Sequence, residues 1–219
     1  MRIFALADLH TRRDAAEAAA KQIVAESAEA VLVAGDISHN DLDDAVNLLE
    51  ILSETMVQIF FVPGNMDSPE LSSWSRSDLK NLHGHCEPFG GYTLTGLGGS
   101  VRTPFNTPFE LTEREVAQLL SQATSKCEIE RLLLISHSPP KNTSLDRTRL
   151  GIHAGSNSVR QFIESKKPML VVCGHIHEAQ GIDKMGETVI VNPGPAYMGG
   201  YARVELNEKV QVSLARFKT

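Results

Sequence analysis

Two packed mixed β-sheets flanked by helices, an α/β fold, are predicted by three observations. Apolar runs alternate with helical stretches through residues 2–62, the pattern of a parallel sheet with right-handed crossovers. The runs RLLLIS (131–136) and PMLVVCG (168–174) repeat that pattern around a further helix. From Glu178 onward, short strands separated by Gly, Pro and Asn read as antiparallel hairpins. One sheet is therefore expected to be mainly parallel and the other partly antiparallel.

The elements follow in order. RIFALA begins the first strand, and the Ala-rich stretch Asp14 to Ala25 favours a helix. AVLVA (30–34) is the second strand. Asp41 to Glu54 carries acids in its first turn and apolar residues at helical spacing, so it is the second helix. VQIFFV (57–62) is the third strand. A shorter helical stretch is expected near Ser72 to Leu82, then a β-rich segment, GYTLTGLGGSV (91–101). Thr112 to Thr124 and Ser156 to Glu164 are two more helices. The hairpin strands of the tail are IDKM, TVIVN, YARVEL and VQVSLARF.

The chain has 219 residues, 42% of them hydrophobic, enough for one sizeable core; a single domain over 1–219 is expected. The formal charge of −6 does not suggest a basic nucleic-acid surface. Three cysteines at wide spacings, Cys86, Cys127 and Cys173, suggest neither a disulfide framework nor a zinc finger. Cys173 in VVCG reads as a small buried apolar residue. The N-terminus lacks the pattern of a signal peptide, and no apolar run has the ~20 residues of a membrane span. A soluble cytoplasmic protein without membrane contact is the expectation.

The chemistry sits where apolar runs end. Asp8 and His10 follow MRIFALA, Asp36 follows AVLVAG, and Asn65 follows IFFVPG. His137 follows RLLLIS, and His175 and His177 follow MLVVCG. In sheets covered by helices, sites form at the carboxyl ends of strands. Carboxylate, amide and imidazole donors without thiolate suit a dinuclear metal centre. Two metals can hold both the attacking and the leaving oxygen of a phosphate ester, and a water they share ionises near neutral pH. Gly35, Gly64 and Gly174 each precede a candidate ligand and permit tight turns there.

These motifs, Asp8-Leu9-His10, Gly35-Asp36, Gly64-Asn65, His137 and Gly174-His175-Ile176-His177, resemble the calcineurin-like metallophosphoesterase superfamily in content and order. Gly98-Gly99-Ser100 with the Thr-Pro-Phe repeats at 103–105 and 107–109 is similar to a prokaryotic branch related to cyclic-nucleotide phosphodiesterases. The resemblance implies a four-layer α/β/β/α sandwich and a dinuclear-metal phosphoesterase, with phosphodiesters the expected substrates, using a metal-bridging hydroxide. It puts Asp36 between the metals. Asp8, His10 and His177 then complete one site, and Asn65, His137 and His175 the other. His175 and His177 either share one face of an extended segment or splay at a turn after Gly174. Two divalent transition metals are implied, with Mn the leading candidate and Fe, Zn or Co the others. The expected partner is a small phosphate ester.

One departure stands out. Where the superfamily often places His after the Asn, this chain has Met66, which cannot donate a proton. Two residues stand as candidates for a catalytic role. Asp67 either orients a ligand or water or simply forms a turn before Ser68-Pro69. His153 lies in a loop before a helix that Ser156 could cap, with the helix N-terminus open to a phosphate. His39, His83 and His85 read as ordinary loop histidines, Trp74 as packing, and Asn192-Pro193-Gly194-Pro195 as a strand-ending turn similar to one near the superfamily's metal edge. Two other functions compete: a non-catalytic scaffold on the same fold, which would tolerate missing ligands, and a nuclease or repair subunit, which would need a basic surface.

Overall fold

The computed structural model describes residues 1–125 and 127–218. Its first sheet contains β1 (Arg2–Leu6), β2 (Ala30–Ala34), β3 (Gln58–Val62) and β4 (Leu79–Asn81), and its second contains β5 (Cys86–Phe89) and β6 (Tyr92–Leu97). Strands β7 (Ser100–Val101) and β8 (Glu110–Leu111) form a small separate ladder. Then come β9 (Leu132–Ser136), β10 (Leu170–Cys173), β11 (Gly181–Met185), β12 (Thr188–Asn192), β13 (Gly200–Leu206) and β14 (Val210–Arg216). The helices are α1 (Arg13–Ala25), α2 (Leu42–Ser53), α3 (Glu113–Thr124) and α4 (Asn157–Lys166).

The first sheet runs β14-β13-β1-β2-β3-β4 and the second β11-β12-β10-β9-β6-β5. Each has a parallel run, β1 to β4 in one and β12-β10-β9-β6 in the other; the first adds antiparallel strands at its β13-β14 side only, the second at both edges, β11 and β5. Both sheets are thus mixed. The tail hairpins are real, but they part company: β11-β12 extends the second sheet and β13-β14 the first.

Strand alternation builds the layers. Phe4, Leu6, Val31, Val33 and Phe61 pack outward against α1 and α2. Ile3, Ala5, Leu32, Ala34 and Val62 face inward, onto Leu94, Leu133, Ile135 and Val172 of the second sheet. On that sheet's outer face, Leu134, Val171 and Ile190 meet Val116, Leu120, Val159 and Phe162 of α3 and α4. The order is helix, sheet, sheet, helix. Among the described residues, no helix is long and apolar enough to cross a membrane.

Local signals explain the helix starts. Asp41 accepts from Asp44 N at 3.0 Å, Thr112 and Glu115 form a reciprocal capping box, and Ser156 accepts from Val159 N. The helix expected near Ser72 to Leu82 is not formed. A single 3₁₀ turn, Pro69–Ser73, gives way to β4. The Asn81 side chain donates to the carbonyls of Leu71, Ser72 and Trp74, which stops the helix, and backbone pairing to β3 takes over.

The cysteine expectation also needs correction. Cys86 and Cys127 are joined in a disulfide that ties β5 to the chain after α3. Their 41-residue separation hid a pair that only the fold brings together. Cys173 is free and buried, as expected.

Helix α1 is fastened to the first sheet at Glu26, the residue just after it. Its carboxylate accepts from Arg203 at 2.7 Å, Tyr201 at 2.8 Å and Gln22 at 2.8 Å. These hydrogen bonds, Arg203's first, lower its pKa from 4.5 to about 2. A depressed carboxylate pKa stabilises the fold above the unfolded value, and that stability is lost as pH falls through the folded one. With Arg203 45% exposed, solvent screening limits the effect. Glu26→Gln should cost about 0.5–1 kcal/mol at pH 7 by urea denaturation. The gap to the parent should close as pH falls from 4.5 toward about 2.

Candidate metal centre

The parallel strands of both sheets release their carboxyl ends at one edge. From β1 come Asp8 and His10, from β2 Asp36, and from β3 Asn65. From β9 comes His137, and from β10 His175 and His177. All of these expected residues converge there. The His10 and His177 Nε2 atoms lie 3.1 Å apart. Asp36 Oδ2 is 3.6 Å from His10 Nε2, and Asp8 Oδ1 is 3.6 Å from His177 Nε2. One donor atom from each of Asp8, His10, Asp36 and His177 fits within 4.8 Å of the others. On the other side, Asp36 Oδ1 is 3.4 Å from His137 Nε2, which contacts Asn65 Oδ1 at 2.9 Å. The His175 ring stands 5.1 Å from that of His137.

The geometry of the histidine pair is thereby resolved. His175 takes a left-handed backbone (φ 69°), which turns its ring toward His137, while His177 faces His10. Asp8, His10 and Asp36 are left-handed too, at φ 59°, 48° and 50°. Such conformations are costly for non-glycine residues and persist where the surroundings enforce them. Here the loops enforce one another. Asp8 N donates to Gly35 O and His10 N to Asp36 O, each at 2.9 Å. Gly64 is required by contact: a Cβ there would lie 2.1 Å from both N and Oδ1 of Asp36.

The electrostatics call for positive charge. Asp8 is fully buried, and its Oδ2 has no hydrogen-bond partner. A buried carboxylate oxygen without a donor is expensive unless a cation meets it. Burial most strongly disfavours the charged form of His137, but the charge and hydrogen bond of Asp36, together with Asp8 and the Ala34 carbonyl, outweigh it and raise its pKa to about 9. Burial lowers His175 to about 4, and the charge of His137 adds to the effect. The Asp36 carboxyl is held low, its burial offset by His137. His137 Nδ1 sits 2.7 Å from Ala34 O, so Nδ1 carries a proton and Nε2 turns to the site. The donor set of carboxylate, amide oxygen and imidazole fits divalent transition metals, and an orphaned oxygen with two facing imidazole nitrogens fits their presence.

The two candidates for proton transfer fall elsewhere. Asp67 is fully buried and does not line the cavity. Its oxygens accept from the backbone N–H groups of Ile37, Ser38 and Gly64 at 3.1, 2.6 and 2.7 Å. It fastens the loop of Asp36 to the loop of Asn65. Burial, then the charge of Asp36, raises its pKa, and the N–H donors oppose this. His153 is held by Asp146, Nδ1 to Oδ1 at 2.6 Å, and opens onto a neighbouring groove. Ser156 does cap α4, but Glu113 occupies that helix end, accepting from Asn157 N at 2.7 Å and Ser158 N at 2.9 Å. A carboxylate already takes the place proposed for phosphate.

Two other residues join the site without a sequence signal. His39 Nε2 lies 2.7 Å from His10 Nδ1. With His10 Nε2 left bare for a metal, Nδ1 carries the proton and donates to His39. Tyr197 Oη is 3.4 Å from His177 Nδ1, brought there because Ala196 N and Tyr197 N donate to the carbonyls of Ala7 and Asp8. The strand-ending turn at 192–195 therefore does approach the metal edge. His83 is structural, its Nδ1 accepting from Gly98 N at 2.9 Å. Trp74 packs near Phe61.

Above this edge opens a cavity of about 1000 Å³. His10, Asp36, Asn65, His175 and His177 form its floor, and loops 101–108 and 148–154 form its walls.

The family described as metallophosphoesterase, calcineurin superfamily, matches residues 38–217, and the chain belongs to it. An uncharacterized protein of Methanocaldococcus jannaschii is 35% identical over 201 residues, covering 89% of this chain and 88% of its own. The fold is shared with a dimetal phosphatase from Danio rerio (TM-score 0.67, 14% identity, 99% of this chain and 96% of that one). It is shared also with an archaeal phosphodiesterase (TM-score 0.56, 14% identity, 98% and 100%). At such identities the likeness speaks for the fold alone.

His39→Ala leaves His10 Nδ1 without its acceptor. Losing a partner of this kind typically costs ~10–100-fold in metal affinity. Calorimetric titration of metal-stripped protein with Mn²⁺ should show weakening of that order, whereas His85→Ala should bind like the parent.

Proposed function

We propose that this protein is a dinuclear-metal-dependent phosphoesterase that cleaves phosphodiesters. One observation carries the reading: the two oxygens of buried Asp36 face two different donor groups, His10 on one side and His137 on the other. A carboxylate so placed suits a bridge. Asp8, His10, Asp36 and His177 would hold one cation, and Asp36, Asn65, His137 and His175 the other. Mn is the proposed metal. Such cations supply Lewis acidity toward a phosphoryl oxygen and lower the pKa of water.

The chain's own residues set the rest. Backbone bonds between the loops keep the donor atoms of the floor in place, so little reorganisation is needed when an anion arrives. Arg102 and Arg149 line the cavity and favour a phosphate there. Among the described residues they are its only lining arginines or lysines, which fits a small ester better than a nucleic-acid strand. All the donors are chemically competent, which favours an enzyme over a scaffold. The archaeal phosphodiesterase of the same fold is consistent with a diester substrate.

Replacement of the shared carboxylate tests this reading. Asp36→Asn keeps an acceptor for Met66 N, which donates to Oδ1 at 2.8 Å, but removes the negative charge. Elemental analysis should find two metals per chain in the parent and loss of metal in the variant, with turnover at background. Retention of both metals and activity by Asp36→Asn would reject the bridge.

Met66 lines the cavity where an acid would assist departure of the leaving oxygen, and neither Asp67 nor His153 reaches it. Positioned acid catalysis contributes ~10²–10⁴-fold. Rates over a series of aryl and alkyl phosphodiesters should therefore depend steeply on leaving-group pKa. Met66→His should flatten the dependence. A flat series in the parent would show that an acid is present after all.

A further inference from the structure

We propose that the organic group of the substrate is an alkyl or acyl chain, seated between loops 101–108 and 148–154 beside the metal edge. This rests on the phosphodiesterase reading and adds the class of ester to it.

Three large apolar side chains on these loops stand in solvent: Phe105 is 81% exposed, Leu150 86% and Ile152 60%. All three line the same cavity as the metal edge. Isolated exposed apolar residues need no explanation, but a group of them around one cleft marks a binding surface.

Internal bonds hold the loops in this presentation. Thr107 N donates to Glu110 Oε1 at 2.9 Å, and Phe109 N donates to Asn65 O at 3.0 Å, tying the first loop to the metal edge. Arg149 N donates to Glu178 Oε1 and Thr148 N to Ile152 O, both at 2.9 Å. A surface organised before binding loses less entropy when a ligand arrives.

The threonine hydroxyls of the walls are turned to the loops themselves. The hydroxyls of Thr103 and Thr107 both donate to Glu110 Oε1, at 2.6 and 2.8 Å. The Thr148 hydroxyl accepts from Ile152 N. Those three threonine hydroxyls are engaged within the loops, so Asn106 is the neutral polar side chain left on the walls beside the two arginines, and Pro104, Phe105, Pro108, Leu150 and Ile152 face the ligand. The charges fit the same substrate. The floor and the two arginines suit a phosphate, and the apolar walls suit a tail attached to it.

The test uses Mn-loaded full-length protein and p-nitrophenyl alkyl phosphates with methyl, butyl and octyl chains, so that the leaving group is constant. A buried methylene is worth about three- to fourfold in binding, so kcat/KM should climb from methyl to octyl by at least ~10-fold. The octyl ester should exceed thymidine p-nitrophenyl phosphate. Phe105→Ala combined with Leu150→Ala should lower the slope against chain length. A flat chain-length series, a thymidine ester preferred over octyl, or an equal loss for every ester in the double variant would overturn the proposal. So would a parent that sediments as a dimer, becomes a monomer in the double variant and shows a flat series, since a second copy of the chain then covers the rim. A binding arm separates this inference from the catalytic reading. Octylphosphonate should bind at least ~10-fold more tightly than methylphosphonate by calorimetry. If no ester is hydrolysed, the phosphodiesterase reading fails and the binding arm alone decides the chain subsite, equal affinities overturning it.

Discussion

A buried carboxylate between two groups of imidazoles is the constraint on which this molecule depends. Asp36 is 2% exposed, and each of its oxygens faces a different histidine. Burying Asp8 and Asp36 together is unfavourable without cations between them. The fold accepts that cost by fixing the surroundings. Met66 N donates to Asp36, and Asp67 gathers three backbone N–H groups from the two neighbouring loops. The left-handed backbone at Asp8, His10, Asp36 and His175 belongs to the same arrangement, since each turn re-aims a side chain that would otherwise follow its strand outward.

The two sheets are joined at this edge by the site itself. His137, from the second sheet, reaches across to Ala34 O of the first. Gly174 passes so close to the first sheet that a Cβ would lie 2.7 Å from Ala7 Cβ and 3.0 Å from Asp8 Oδ2. Ala7 and Ala34 are small where the strands end, and that lets the sheets draw together. Apolar packing fixes their separation along the strands, and polar contacts fix it at the edge. A change at the inter-sheet core near these alanines would therefore be felt first as a change in donor spacing.

Much of this was legible in the sequence because strands buried on both faces read as continuous apolar runs, and the polar residue ending each run marks the edge. That logic found Asp8, His10, Asp36, Asn65, His137, His175 and His177 together and pointed to two packed sheets with flanking helices. It failed where a side chain's role depends on a distant neighbour. His39 looked like a loop histidine because its partner, His10, lies 29 residues away. Cys86 and Cys127 have no spacing signature, and Glu113 reaches the N-terminus of α4 from 44 residues upstream of Asn157. At residues 72–82 local propensity favoured a helix, but the Asn81 amide capped the carbonyls of the first turn.

The segment 64–67 links the missing acid to the apolar cavity. Gly64 N and Met66 N are directed at Asp67 and Asp36, so the backbone there is committed to holding carboxylates. With Asp67 turned inward, residue 66 is the one whose side chain lines the cavity beside Asn65. An imidazole at that position would add a proton donor and also a polar group that needs partners of its own. The thioether instead continues the surface formed by Pro104, Phe105, Leu150 and Ile152. Methionine is flexible and polarizable and adapts to apolar ligands of irregular shape. On the proposed phosphoesterase reading, one residue type would thus do two things: leave the leaving-group side without a general acid and extend the apolar wall down to the metal edge. On that reading, leaving-group chemistry and ester preference would be coupled through a single side chain, held in position by the same backbone bonds that secure Asp36.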